Sequence, residues 1–174
     1  MKKIYIIFLG ILWILAAACG WLYFSYAKDR EIKTIEKNID IEQELQLEKV
    51  SVYLPAKNMK TLVKEGTEIA APQSTKDRIE KTAVRIVQLL AERGFIQSKE
   101  IVLFNVYFDN KTIYLDFSAQ IKELDDNSQK SLMNIYSIVN SVTETGGFNR
   151  VKIMVNGKDG SNNLGKFYSR NTSI

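Results

Sequence analysis

The sequence predicts an α+β fold: a two-layer sandwich with two helices on one face of a mixed β-sheet. The order is β-β-α-β-β-α-β, preceded by one N-terminal transmembrane helix. Three observations predict it. Five short β-type runs fall at 50–54, 62–69, 101–108, 112–117 and 151–155. Two longer stretches carry apolar stripes of helical period. A charge-free run from Ile4 to Tyr26 opens the chain.

That run comes first in the chain. Its 23 residues make a helix of roughly 34 Å, against a bilayer core of about 30 Å. Trp21, Tyr23 and Tyr26 gather toward one end, at the depth aromatic residues favour. Lys2 and Lys3 precede it, so the positive-inside rule keeps the N-terminus in the cytoplasm and puts the rest outside. Three fates compete: a retained signal anchor, cleavage after Ala16-Ala17-Ala18, and lipidation of Cys19, which follows Ala17-Ala18 as in a bacterial lipobox. The apolar Trp21-Leu22-Tyr23-Phe24 beyond Cys19 favours the anchor, because either cleaved product would begin by exposing that stretch to water.

Residues 28–48 form a charged linker, with Ile32, Ile35 and Ile39 as a short helical stripe. The globular pattern occupies 49–160. Val50 to Leu54 alternates and stops at Pro55; Leu62 to Ile69 follows as a second strand. Ser74 with Asp77 three residues on is a capping arrangement for a helix whose stripe is Ile79, Ala83, Ile86, Val87 and Leu90, ended by Gly94. Ile101–Phe108 and Thr112–Phe117 flank a turn and read as a hairpin. A second helix starts near Asp126 or Asn127, where acids suit the cap and the dipole. It carries Leu132, Ile135, Tyr136, Val139 and Val142, and Gly146-Gly147 ends it. Val151–Val155 is the last clear strand, before an Asn-Gly turn. Residues 161–174 read as a polar basic tail in which Phe167-Tyr168 pairs as a short edge strand or frays.

The chain's formal charge of +4 is concentrated. Lys2 and Lys3 supply two of those charges. From Asn149 onward Arg150, Lys152, Lys158, Lys166 and Arg170 face only Asp159. The first reading of this end is a solvated tail. The sharper one is a basic face for an anionic partner: an acidic wall polymer, lipid headgroups or an acidic protein. Nucleic acid does not suit the compartment, and no basic-aromatic stacking motif is visible.

The reactive inventory is thin. There is no histidine, which removes Ser-His-Asp and Cys-His catalysis. The single cysteine lies in the membrane run, so thiolate metal sites and an internal disulfide are excluded. Neither a Walker A pattern nor GxGxxG occurs. Ser25-Tyr26-Ala27-Lys28 has S-x-x-K spacing, but at the membrane boundary without a domain to build an oxyanion hole. Asp109 and Asp116 could meet across the hairpin around a hard cation; turn and strand-end polarity is the plainer reading. The expectation is a protein that is not an enzyme, with no metal and no cofactor.

Several strings resemble the GerMN domain of bacterial sporulation and germination proteins. They are Val50–Leu54, Tyr114-Leu115-Asp116-Phe117-Ser118, Ser137-Ile138-Val139-Asn140-Ser141-Val142-Thr143 and Val151-Lys152-Ile153-Met154-Val155-Asn156-Gly157. Asn156 stands where the family usually has Asp, and Arg93-Gly94 lacks the proline often found after the first helix. The resemblance implies a membrane- or lipid-anchored module outside the cytoplasm, similar in fold to ring-building domains of trans-envelope assemblies, and it brings no catalytic residue. The expected partners are the membrane and either an envelope protein or a second copy.

Overall fold

The computed structural model describes residues 16–23, 46–144 and 147–174. The chain divides into two compact units, Met1–Leu45 and Gln46–Ile174. In the first, residues 16–23 are helical and exposed. The remainder of the Ile4–Tyr26 run, the Ser25–Lys28 string and the Ile32, Ile35, Ile39 stripe lie outside the described residues. Among the described residues no helix is long and apolar enough to cross a membrane.

The second unit begins with β1 (Leu47–Pro55) and β2 (Leu62–Ala70), an antiparallel hairpin with Val50 opposite Thr67 and Leu54 opposite Val63. Helix α1 (Thr75–Glu92) starts as its sequence requires: the Asp77 amide donates to Ser74 Oγ at 3.1 Å, and the Gln73 amide to Asp77 Oδ2 at 2.8 Å. Its expected stripe is buried throughout. It stops in a Schellman turn with Gly94 at φ +74: Gly94 N–H donates to Ala91 O (3.1 Å) and Phe95 N–H to Leu90 O (2.9 Å).

β3 (Leu103–Asp109) and β4 (Thr112–Phe117) are the expected hairpin, turned by Asn110 at φ +51 and interrupted by a bulge between Leu103 and Asn105. A 3-10 helix, Ala119–Leu124, leads toward α2 (Gln129–Glu144). The cap of α2 is not Asp126 but Ser128, whose Oγ accepts the Ser131 amide at 3.1 Å. Asp126 instead accepts from the Ser128 amide and hydroxyl, at 3.0 and 2.6 Å. β5 (Arg150–Val155) then pairs in parallel with β4, as the intervening helix permits. Asn156 and Gly157, both at positive φ (+51 and +73), make a type I′ turn into β6 (Lys158–Asp159). β7 (Phe167–Ser169) pairs antiparallel with the first half of β5. The compact unit takes in residues 161–174, with Leu164 and Tyr168 buried.

The single sheet of the expectation is corrected to two. β3, β4, β5, β6 and β7 form one mixed sheet, while β1 and β2 form their own. The reason lies in α2. Besides the apolar Ile135, Val139 and Val142, its Ser137, Asn140, Ser141 and Thr143 are buried, so it is enclosed on more than one side. It packs against β1 and also against β5 and β7. Small serines let β1 come close, and the Tyr53 amide donates to Ser141 Oγ at 2.9 Å instead of to another strand. Ser137, Ser141 and Thr143 hydroxyls donate to carbonyls one turn back at 2.9, 2.6 and 2.7 Å, which satisfies their burial. The two-layer picture, with each helix showing one stripe to one sheet, is therefore replaced by helices that serve both sheets.

Candidate functional site

The outer face of the larger sheet is laid out in rows by its register. Tyr107, Tyr114, Lys152 and Phe167 stand side by side across β3, β4, β5 and β7, and Thr112, Arg150 and Ser169 form the next row. The five basic residues of the C-terminal end meet different fates on and around this face. Lys152 is buried, its ammonium 2.7 Å from Asp159 and 4.9 Å from the centre of the Phe167 ring. Arg150 is exposed and lies over the same ring at 5.3 Å. Tyr114 meets that ring edge-on. Lys166 donates to Asn163 Oδ1 at 2.9 Å. Lys158 is exposed, with no ion pair among the described residues. Arg170 is held by Glu144 at 2.6 Å.

Arg170 belongs to a cluster that the sequence reading missed. Glu144, in the last turn of α2, accepts hydrogen bonds from Tyr53 of β1, Lys64 of β2 and Arg170 of the tail. Arg170 also donates to the Tyr53 hydroxyl at 2.6 Å and lies over its ring. Four segments of the chain are tied at one carboxylate. Burial pushes the Glu144 carboxyl up, but the hydrogen bonds from Lys64 and Tyr53 and the charge of Arg170 outweigh it and hold the group below the usual carboxylate range. The Tyr53 phenol is raised by burial and by its bond to Glu144, and the Lys64 ammonium by its own bond to Glu144. One signal was available beforehand: an acid in the last turn of a helix with no base in that turn opposes the dipole and calls for partners elsewhere. Next to this cluster, Asn140 binds the main chain of Asn171 in both directions, at 2.6 and 2.9 Å.

The carboxylates considered from sequence are engaged separately. Asp116 Oδ1 accepts the Gly157 amide at 2.7 Å, fastening the type I′ turn to β4. Asp109 stands at the opposite end of the β3–β4 ladder, paired with Thr112. Asp125 accepts from the Leu164 amide at 3.0 Å. Among the described residues no three acidic or cysteine side chains converge as metal ligands. Cys19 is a free, exposed thiol in the first unit. A shallow cleft of about 570 Å³ lies between Pro55, Val63, Glu65, Arg93 and Phe95. Its charges face each other: Arg93 binds Glu65 through both nitrogens at 2.8 and 2.7 Å. Those bonds hold the Glu65 carboxyl low.

Fold and surface together define a class: a small α+β module around an enclosed helix, with several of its charges tied in ion pairs that join separate segments. The chain belongs to the Germane family, described as sporulation and spore germination, whose model matches residues 22–161. Among solved structures it is similar to the tandem GerMN domains of the sporulation protein GerM from Bacillus subtilis. Identity is 20%, the TM-score is 0.51, and the match covers 72% of this chain and 45% of that one. This chain thus spans less than half the length of that protein, and at this identity the likeness shows the fold. A putative lipoprotein from Clostridium perfringens matches at 16% identity and TM-score 0.40, covering 71% of this chain and 87% of that one. The first GerMN domain of GerM alone matches at 17% and 0.41, covering 64% and 84%. No curated protein matches the chain.

Proposed function

We propose that this chain is a non-catalytic binding or assembly module of the bacterial envelope, held to the cytoplasmic membrane by Ile4–Tyr26 with its α+β unit outside, in the service of sporulation or germination. One observation carries the reading: a Germane unit follows a charge-free run long enough to span a bilayer. The absence of histidine and the pairing of Glu65 with Arg93 and Lys152 with Asp159 support a role in binding over chemistry. Membrane fractionation with protease treatment of intact spheroplasts tests it. The expected result is a membrane-bound chain whose C-terminal unit is digested from outside and whose intact mass matches the full sequence. A chain protected from external protease, or found free of the membrane, would end this reading.

A second reading is favoured by the exposure of Arg150, Lys158 and Lys166. In it, a chain lipidated on Cys19 holds an anionic wall polymer against the basic end. Binding to anionic wall material should then weaken steeply between low and high salt. Binding that ignores salt would argue against it, and an intact mass without acyl chains would remove the lipid anchor.

A further inference from the structure

At the start of α2 a cleft of about 230 Å³ is bounded by three segments. The loop after α1 supplies Phe95 and Gln97, the end of the 3-10 helix Glu123 and Leu124, and α2 itself Lys130, Ser131 and Asn134. Asp126 completes the lining from the turn between the two helices.

Asn134 singles this cleft out. It is 1% exposed. Its Nδ2 donates to Phe95 O at 3.0 Å, which fixes the amide's orientation, since the reverse would set two carbonyl oxygens against each other. Asn134 Oδ1 is then left buried with no hydrogen-bond partner among the described residues. Native chains leave few acceptors in that state, and each calls for a donor.

The rest of the lining decides what the donor is. Glu123 accepts the Gln97 amide through one oxygen and the Ser98 amide through the other, at 2.9 and 2.8 Å. Each oxygen keeps room for a further bond. Asp126 is a second carboxylate, held in place by Ser128. Lys130 is the one cation of the lining. Two carboxylates and an unpaired carbonyl against one ammonium favour a ligand that brings positive charge and N–H donors. An anion would meet like charge on two sides. A primary ammonium, with three donors and no acceptor, matches the set. Phe95 and Leu124 give a short methylene stem apolar contact. At roughly 30 Å³ per water the volume equals between seven and eight waters, room for an amine about the size of a lysine side chain.

We propose that this cleft binds a primary alkylammonium group, its ammonium donating to Asn134 Oδ1 within the field of Glu123 and Asp126 and its stem lying against Phe95 and Leu124. The site goes beyond the envelope reading and is separate from the basic residues considered for an anionic polymer.

The test titrates the full chain, isotope-labelled in uncharged detergent and phosphate buffer, with n-butylammonium, and with butyrate and butanol as probes of other charge. Butylammonium should move the Asn134 side-chain and Ser131 amide signals saturably, and butyrate and butanol should not. Glu123→Gln should raise the dissociation constant on the order of tenfold. Lys130→Ala, at an exposed position, should lower it about threefold by removing a like charge. Asn134→Leu removes the acceptor and should abolish the response. Circular dichroism checks that this buried change folds, and Lys130→Ala decides the matter if it does not. Nα-acetyl-lysine amide carries the same ammonium on a peptide. Binding tighter than butylammonium assigns the amine to a peptide chain, weaker binding to a free amine, and either supports the site. Equal response to butylammonium, butyrate and butanol, a preference for butyrate, or affinities that ignore Glu123→Gln and Lys130→Ala overturn it. Asn134 signals that no amine moves show an acceptor satisfied by water alone and overturn it too. None of these outcomes touches membrane attachment, so the envelope reading stands or falls separately.

Discussion

Glu144 closes α2 with the charge that a helix C-terminus tolerates least, and Tyr53, Lys64 and Arg170 are drawn in around it. Replacing it by Gln keeps the shape and removes the charge. With the cluster partly exposed and screened, the expected loss is about 1 kcal/mol, read as a lower urea midpoint with an unchanged slope. Ser141 is a stricter case because it is fully buried. Its hydroxyl accepts the Tyr53 amide and donates to Ser137 O. Ser141→Ala leaves the part-buried Tyr53 amide without its partner and should cost about 1 kcal/mol or more. Neither role could be read locally, since Tyr53 and Ser141 are 88 positions apart. What the sequence did display was a run of small polar residues, Ser137, Asn140 and Ser141, on a helix expected to be amphipathic. That was the mark of a second buried side.

At the scale of elements, α1 was legible almost to the residue. Its cap, stripe and terminating glycine are local features with local physics, and each is found where the spacing put it. Ser74→Ala should cost about 1 kcal/mol. Gly94→Ala should cost about as much by placing a Cβ at φ +74. Both should lower the melting temperature without altering the fold, as seen by circular dichroism. The start of α2 was read too early because Asp126 and Ser128 are both good caps. The acid instead accepts from the serine at the surface, and a 3-10 turn took up the preceding residues. The hairpins were legible from turn residues and alternation. The layer each hairpin joins was not, because alternation says only that one face of a strand is buried.

For the molecule as a whole, the absence of histidine makes a pH prediction. Glu65, Asp77, Asp126 and Glu144 all titrate below their ordinary values, through hydrogen bonds from Arg93, Lys81 and Ser128 in the first three and, against burial, from Lys64 and Tyr53 in the fourth. Their stabilisation is complete above the unfolded carboxylate values and is lost as pH falls through the lowered native ones. At the other end, burial pushes the Tyr168 phenol up to about 12, its hydroxyl donating to Asn163 O at 2.9 Å. That contribution is present below the unfolded phenol value of 10.0 and is lost as pH rises toward 12. Histidine and cysteine, the side chains whose ordinary values lie closest to neutral pH, are both missing from the sequence of the compact unit. Urea midpoints should therefore be flat between about pH 5.5 and 8, fall below about pH 4 and fall again above about pH 10. A step near pH 6.5 would contradict this.

β5 lies between β4 and two strands, β6 and β7, that arrive after it in the chain, and the last residues are then fastened by Glu144 and Asn140. This makes residues 163–174 a latch. Without them, the first half of β5 has no strand on that edge and the Glu144 carboxylate lacks one of its three partners. The edge of the sheet and the end of the helix are thus closed by one short segment, so loosening it bares both at once.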